Sequence, residues 1–165
     1  MIEHGRGNLL EAQVAALVNT VNTEGVMGKG IALQFKQAFP DNFKAYAKAC
    51  AHKEVSVGKM FVFDRGVHSP RWIINFPTKK RWRLPSCFDY VDAGLVDLIR
   101  TVRKLGILSI AVPPLGCGNG GLSWEEVRPR IVAAFAEASE IRVLLYDPPT
   151  TTTTTTTQLS LPLSD

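Results

Sequence analysis

The stretch that decides the fold is NTVNTEGVMGKGIALQF, from Asn19 to Phe35. An apolar run ends in two asparagines, glycines follow at positions 25, 28 and 30, and a helical pattern then begins. This order predicts a strand, a glycine-rich loop and a helix. Glycines let backbone N–H groups come close to a ligand, and the N-terminus of the following helix favours an anion. The spacing fits neither the Walker loop nor the dinucleotide motif GxGxxG.

Strand-like and helix-like patterns alternate on either side of this stretch. Strands are predicted at residues 1–4, 15–21, 59–64, 71–76, 108–113 and 141–146. Helical patterns lie between them, at 31–39, from Asp41 onward, and from Val91 to Leu105. This alternation predicts an α/β protein, a three-layer α/β/α domain with helices on both faces of a central sheet. Because only RGVHSP joins 59–64 to 71–76, these two strands are expected to form a hairpin, which makes the sheet mixed.

The last predicted helix has a sequence pattern typical of a helix N-terminus and a proline that can disrupt the helix. Ser123-Trp-Glu-Glu126 matches the capping box, in which the serine and glutamate side chains bond to backbone N–H groups. Pro129 falls in the second turn of the same helix and predicts a kink or a later start.

The folded domain is expected to span residues 1–147. Beyond Asp147 come two prolines, eight threonines at 150–157 and then QLSLPLSD. A run of one polar residue has no apolar face to bury, so residues 148–165 are predicted to be a disordered tail or linker. We expect the linker to lead to a further domain beyond this sequence.

Composition excludes several classes of protein. The chain has 165 residues, 45% hydrophobic and 21% charged, which suits a single globular domain. No apolar run approaches the roughly 18 residues of a membrane span, and no signal-peptide pattern opens the chain, so we expect a cytoplasmic protein without a membrane partner. Three scattered histidines and three cysteines without CxxC spacing predict reduced thiols and no metal site. The net charge of +4 permits a polyanionic partner.

Two further segments are expected at the same edge of the sheet as the opening loop. A second glycine-rich loop, PPLGCGNGGLSW, follows the strand pattern at 108–113, and a basic segment, PTKKRWR, follows the one at 71–76. Loops after parallel strands meet at one edge, so the two glycine loops suit a ligand with two phosphates, or with a phosphate and sugars. The basic segment suits phosphate contacts and base stacking, and burial or neighbouring cations would make a lysine there nucleophilic. The alternative is that all three are structural or solvated turns.

In this order the motifs resemble those of macrodomains, the ADP-ribose-binding α/β/α domains. The similarity runs from Gly7 to Tyr146 and rests on GNLLEAQVAALVNTVN, GVMGKGIALQF and PPLGCGNGGLSW. NFPTKKRW narrows it to the DarG-type macrodomains, antitoxins whose toxin attaches ADP-ribose to thymidine in single-stranded DNA. The resemblance implies a DNA ADP-ribosyl glycohydrolase that removes this ADP-ribose by cleaving an N-glycosidic bond, without a cofactor. It also implies ADP-ribosylated single-stranded DNA as a partner, and a cognate toxin that binds through a C-terminal domain beyond this sequence.

The resemblance assigns the reaction to three residues. Lys79 aligns with the family's catalytic lysine, Lys80 is the alternative one residue along, and Asn22 would orient the ribose hydroxyls. Gly120 stands where the related glutamate-acting enzyme has an assisting aspartate, which implies a mechanism without that carboxylate. The flanking strand of DNA would be held by Lys80, Arg81, Trp82 and Arg83.

A larger set is implied to bind ADP-ribose. Asn8 would accept a hydrogen bond from the adenine amino group, Tyr146 would pack on the adenine, and the loop at 116–122 would wrap the diphosphate. The full set is Asn8, Leu9, Asn22, Met27, Gly28, Lys29, Gly30, Ile31, Thr78, Leu115, Gly116, Cys117, Gly118, Asn119, Gly120, Gly121, Leu122 and Tyr146.

Two alternatives of other kinds stay open at this point. A non-catalytic reader would bind ADP-ribose through the same loops without cleaving any bond. A hydrolase of ADP-ribose on acidic protein side chains, or of O-acetyl-ADP-ribose, would share the lysine but would not need the basic segment.

Overall fold

The structure is a computed structural model that describes residues 1–149. Most of the tail predicted at 148–165, including every threonine of the run, lies outside the described residues. No helix within residues 1–149 is both long enough and apolar enough to cross a membrane.

Six strands form one mixed sheet in the order β1-β6-β5-β2-β4-β3. The edge strand β3 is antiparallel to β4, and the other described neighbours pair in parallel. The predicted hairpin and the mixed sheet are therefore confirmed. The strands are β1 Ile2–His4, β2 Ala16–Asn22, β3 Phe61–Asp64, β4 Trp72–Lys79, β5 Ser109–Val112 and β6 Arg142–Leu145.

Helices cover both faces of the sheet, so the three-layer prediction is also confirmed. On one face, α3 and α4 pack on alternate side chains of β2 and β4, such as Val18 and Phe76. On the other face, α1 contributes Phe35 and α2 contributes Tyr46 to separate apolar clusters. The helices are α1 Gly30–Ala38, α2 Pro40–Ala51, α3 Phe88–Lys104 and α4 Trp124–Ala136, with short 3-10 turns at Leu9–Glu11 and Gly118–Gly120.

The strand β4 is longer than its apolar pattern. The sequence predicts a strand at 71–76 followed by a basic turn, but β4 continues through Pro77 and Thr78 to Lys79. Its pairing with β3 stops at Asn75, so Pro77 lies where β4 has a strand partner on one side alone. Proline has no backbone N–H to donate, and it is tolerated at such edge positions because the side of the strand without a partner needs no donor. Lys79 is therefore fixed by the sheet.

The helix α4 departs from its predicted start. Ser123 is the N-cap, but its side chain makes no capping bond. Its backbone carbonyl accepts instead from the N–H groups of Glu126 and Val127. The helix begins at Trp124 and runs through Pro129, so the predicted late start is wrong. Pro129 removes one donor near the exposed end of the helix, where water can satisfy the freed carbonyl.

Close contact between α3 and β4 depends on a glycine. Val91, Leu95, Leu98 and Val102 form the buried stripe of α3, as its spacing predicts. A Cβ atom placed on Gly94 would lie 2.3 Å from Cζ of Phe76, a side chain that is fully buried. The missing side chain lets α3 approach the strand that carries Lys79.

We predict that Gly94→Ala destabilises the protein by about 1–3 kcal/mol, because overpacking against the buried ring outweighs the better helix propensity of alanine. Urea unfolding measures the free energy of unfolding. Adding Phe76→Leu should recover part of the loss, and the exposed Val96→Ala on the same helix is the control. A Gly94→Ala variant more stable than wild type would show that the approach of α3 to Phe76 does not require glycine at position 94.

Candidate functional site

The carboxyl ends of β2, β4, β5 and β6 open into a cleft of about 1480 Å³. This volume exceeds the roughly 300–1,000 Å³ of pockets for drug-sized ligands, so the cleft suits a large ligand. Both glycine loops, the end of β4 and the residues after β6 line it. The sequence expectation that these segments share one edge of the sheet is confirmed.

The pairing of β2 with β4 sets Asn22 opposite Lys79. Both residues line the cleft, whereas Lys80 does not. Successive strand residues point to opposite faces, and the Lys80 ammonium lies 5.8 Å from the ring centre of Tyr90 in α3. The structure therefore brings Lys79, rather than Lys80, together with the other predicted residues of the cleft.

The environment of Lys79 makes its neutral amine more accessible than that of a free lysine, because its pKa is lowered. Burial lowers the pKa of Lys79, and the positive charge of Lys29 lowers it further. Its Nζ donates a hydrogen bond to the carbonyl of Trp82 at 3.3 Å. Within residues 1–149, no carboxylate lies within 4.0 Å of this amine. A Cβ atom on Gly120 would lie 3.9 Å from Cε of Lys79, so glycine occupies the position from which an acidic side chain could reach it.

Trp82 connects the basic segment to both sides of the cleft. Its backbone N–H donates to Oε2 of Glu24 at 3.1 Å, while its carbonyl accepts from Lys79. Its ring lines the cleft, with Lys29 Nζ 6.0 Å and the Arg83 guanidinium 4.6 Å from the ring centre. The indole is 39% exposed, which leaves surface on which a base can stack.

Asn22 holds the opening loop in place. Its Oδ1 accepts from the N–H groups of Glu24 (3.0 Å) and Val26 (3.3 Å), and its Nδ2 donates to the Val26 carbonyl (2.8 Å). The hydroxyl of Tyr46 donates to the Asn22 backbone carbonyl at 2.6 Å. One N–H of the side-chain amide is left for a ligand hydroxyl. Asn22 therefore shapes the loop as well as facing the cleft.

The central part of the cleft suits an anion. Helix α1 starts at Gly30, and its N-cap Lys29 makes no side-chain capping bond, so the first N–H groups of the helix remain available. The second loop lies opposite. Gly118 and Gly121 have φ of 67° and 78°, values that favour glycine, and both face open space. Lys29, Lys79 and Arg83 line the cleft against one acidic residue, Asp147.

The far end of the cleft is built around Tyr146. The residue is 8% exposed, and a Cβ atom on Gly5 would lie 2.4 Å from its ring. Asn8 lines the same end, and its Oδ1 accepts from the N–H of Leu10 at 3.0 Å. The second lone pair of that oxygen stays free for a ligand donor. An aromatic face beside an amide suits a flat heterocycle.

Several expected ligand residues lie elsewhere. Met27 is buried under the opening loop near Tyr46, and Leu115 and Leu122 belong to the core beneath the second loop. Their apolar side chains are used for packing, so a contact of these three residues with ADP-ribose would come from their backbone groups, and their place in the ligand set stays a prediction. Lys80 and Arg81 line a smaller neighbouring groove. The other predicted ADP-ribose and DNA residues line the cleft.

Some residues that line the cleft were not predicted from the sequence. Gln34 follows Gly30 by one helical turn, and Pro113 and Pro114 are the first two residues of the second loop, so their positions in the motifs could have identified them. Pro148 and Pro149 were assigned to the tail although they line the cleft. The remaining additions are of two kinds. Six lie within the motif stretches at 7–22 and 25–35 but were not singled out: Gly7, Leu10, Thr20, Val21, Val26 and Ala32. Three lie outside those stretches: Leu84, Pro85 and Asp147.

Comparisons with known proteins agree with this geometry. The macro domain family matches residues 18–131. A DNA ADP-ribosyl glycohydrolase of Mycobacterium tuberculosis is 59% identical over 149 residues, which cover 90% of this chain and 42% of the relative. The chain therefore spans less than half the length of that protein.

Two solved structures are also similar. The macrodomain of Mycobacterium tuberculosis DarG has a TM-score of 0.89 and 58% identity, over 90% of this chain and 99% of that one. Thermosipho africanus DarTG in complex with ADP-ribose has a TM-score of 0.80 and 36% identity, over 86% of this chain and 40% of that one.

We predict that Asn22→Ala lowers the free energy of unfolding by about 1 kcal/mol, because the part-buried amides of Glu24 and Val26 lose their acceptor. Hydrogen exchange should quicken at the amides of Glu24 and Val26. The Thr23 amide, which donates to the Lys80 carbonyl, is the internal control. Unchanged exchange at Glu24 and Val26 would show that Asn22 does not hold the loop.

Proposed function

The chain belongs to the macrodomain family and, within it, to the DarG macrodomains, and from that premise we propose that it hydrolyses ADP-ribose from thymidine bases of single-stranded DNA. The observation that carries this proposal is the position of Lys79. Lys79 lines the cleft as the strand partner of Asn22, and its pKa is lowered. A domain that only binds ADP-ribose has no need of a reactive amine there.

The cleft supports one orientation of ADP-ribose. The adenine lies at the Tyr146 end, beside Asn8, and the diphosphate lies between the N-terminus of α1 and the second glycine loop. The distal ribose then lies against Asn22 and the start of α1. This order places the anomeric carbon, which carries the thymine base, beside Lys79.

The reaction adds water across the N-glycosidic bond. The bond between the anomeric carbon and the thymine nitrogen breaks, the nitrogen takes a proton, and the hydroxyl of water ends on the carbon. Positive charge develops on that carbon as the base leaves. A neutral Lys79 amine can attack the carbon, or it can act as a base and accept a proton from the attacking water, and such proton transfer is typically worth 10²–10⁴-fold in rate. The lowered pKa favours the neutral form.

The basic segment supports DNA as the carrier of ADP-ribose. Lys80, Arg81 and Arg83 are exposed, and within residues 1–149 none has an acidic partner within 4.0 Å. Free cations beside an exposed indole suit phosphates and bases of a single strand. The proposal includes an antitoxin role against a DNA ADP-ribosyltransferase, which would act on DNA in the cytoplasm.

One observation favours a non-catalytic ADP-ribose reader as the second candidate. Gly120 lies beside Lys79 without a carboxylate, so the amine lacks the acidic partner that the related glutamate-acting enzyme has. A reader would bind ADP-ribose as tightly in wild type as in Lys79→Ala. Release of unmodified DNA separates the two functions.

We predict that wild type releases ADP-ribose from an ADP-ribosylated thymidine oligonucleotide and that Lys79→Ala loses at least about 10²-fold in kcat. Lys80→Ala should raise KM for the oligonucleotide through the lost phosphate contact while retaining kcat. Chromatography of the released nucleotide gives both constants.

Calorimetry with free ADP-ribose is the control, and Lys79→Ala should still bind it. No release by wild type would leave the reader as the function. A dead Lys80→Ala beside an active Lys79→Ala would move the chemistry to the other lysine.

We also predict that kcat rises with pH through an apparent pKa below the ordinary lysine value of 10.5, since the neutral amine is the active form. Lys29→Gln removes a like charge, so the pKa should rise and the rate at neutral pH should fall. Lys36→Gln on the same helix, where the lysine lies over Phe43, is the control. If the apparent pKa of the pH profile is the same in Lys29→Gln as in wild type, the charge of Lys29 does not lower the pKa of Lys79.

A further inference from the structure

A second, smaller groove of about 270 Å³ lies next to the cleft. Three short segments line it: Thr23–Glu24 from the opening loop, Val55–Val57 from the connection between α2 and β3, and Lys80–Arg81 from the basic segment. None of the roles assigned above uses the connection at 55–57.

The groove continues the cleft along the same two strands. Asn22 and Lys79, the last residues of β2 and β4, line the cleft, and the residues that follow them in the chain, Thr23 and Lys80, line the groove. The backbone that lines the groove is therefore one residue, about 3.3 Å of extended chain, from the backbone that lines the cleft. A linear ligand with one unit in the cleft can place its next unit in the groove.

Hydrogen bonds hold the segments that lie between the cleft and the groove. The N–H and the hydroxyl of Thr23 both donate to the Lys80 carbonyl, at 3.2 and 2.7 Å. The Glu24 carboxylate accepts from the Trp82 N–H at 3.1 Å, which fixes one of its oxygens toward the basic segment, and its single negative charge is outnumbered in the lining by Lys80 and Arg81. These bonds fix the groove in the structure without any ligand.

The lining combines apolar surface, hydroxyls and cations. Val55 is buried and Val57 half-buried, while Ser56, Lys80 and Arg81 are exposed. The volume falls below the roughly 300–1,000 Å³ of drug-sized pockets, which suits a single base with its sugar. A base can pack on the valines while its phosphate meets the two cations.

We propose that this groove binds the nucleotide adjacent to the ADP-ribosylated thymidine in the DNA strand. The proposal rests on the proposed function, since only a nucleic acid substrate supplies a unit next to the one in the cleft. The groove makes the enzyme sensitive to substrate length. A modified nucleoside fills the cleft alone, and a modified dinucleotide fills both spaces.

The test compares ADP-ribosylated thymidine, the same unit with one nucleotide on its 5′ or 3′ side, and a longer oligonucleotide. Wild type should show a kcat/KM about tenfold higher on one of the two dinucleotides than on the nucleoside, which corresponds to about 1.4 kcal/mol from one more bound base and phosphate. Ser56→Trp fills the groove and should bring the dinucleotide value down to that of the nucleoside. His68→Trp, exposed in the β3–β4 hairpin at the other end of the sheet, should keep the preference.

Equal kcat/KM on nucleoside and dinucleotides, or a preference that survives Ser56→Trp, would overturn the groove proposal. If wild type releases ADP-ribose from no substrate, the proposed function fails. In that case the groove proposal is tested by the affinity of wild type and Ser56→Trp for an unmodified oligonucleotide. Weaker binding by Ser56→Trp than by wild type supports the groove proposal, and equal binding overturns it.

Discussion

Parallel pairing between β2 and β4 is the constraint on which the cleft depends. The register sets Asn22 opposite Lys79, so the residue that shapes the opening loop and the residue with the reactive amine are neighbours in the sheet. Buried amides reinforce this pair of strands from below. Asn19 donates to Asn75 at 3.3 Å, and Asn75 donates to Asn42 of α2 at 2.8 Å. Two strands and a helix are thus tied together directly under the cleft.

The basic segment and the three residues after it, 84–86, cross from one glycine loop to the other. Thr23 holds it at the Lys80 carbonyl, and the N–H of Ser86 donates to the Gly120 carbonyl at 2.9 Å. Trp82 lies between these two attachments and touches Lys79. In the proposed function the segment therefore links three tasks: contact with the DNA strand, placement of the amine, and support of the diphosphate loop.

The sequence was sufficient for the order of elements and for the edge at which they meet. Alternating patterns and clustered glycines are local signals, and they located both loops. The sequence was not sufficient to choose between Lys79 and Lys80. That choice depends on the residue at which β4 ends, and the strand pattern in the sequence stops before Pro77. Nor could spacing separate Gly116 at the cleft from Leu115 in the core, since adjacent loop residues differ only in the direction of their side chains.

The proposed chemistry requires one geometric relation, between Lys79 and the anomeric carbon of the distal ribose. A crystal structure of Lys79→Ala with an ADP-ribosylated thymidine oligonucleotide measures it directly. Superposed on the wild-type structure, the anomeric carbon should lie about 3–3.5 Å from the position of the Lys79 amine, the range of a productive approach. An anomeric carbon beside Lys80, or at the Tyr146 end of the cleft, would contradict the proposed function of this site.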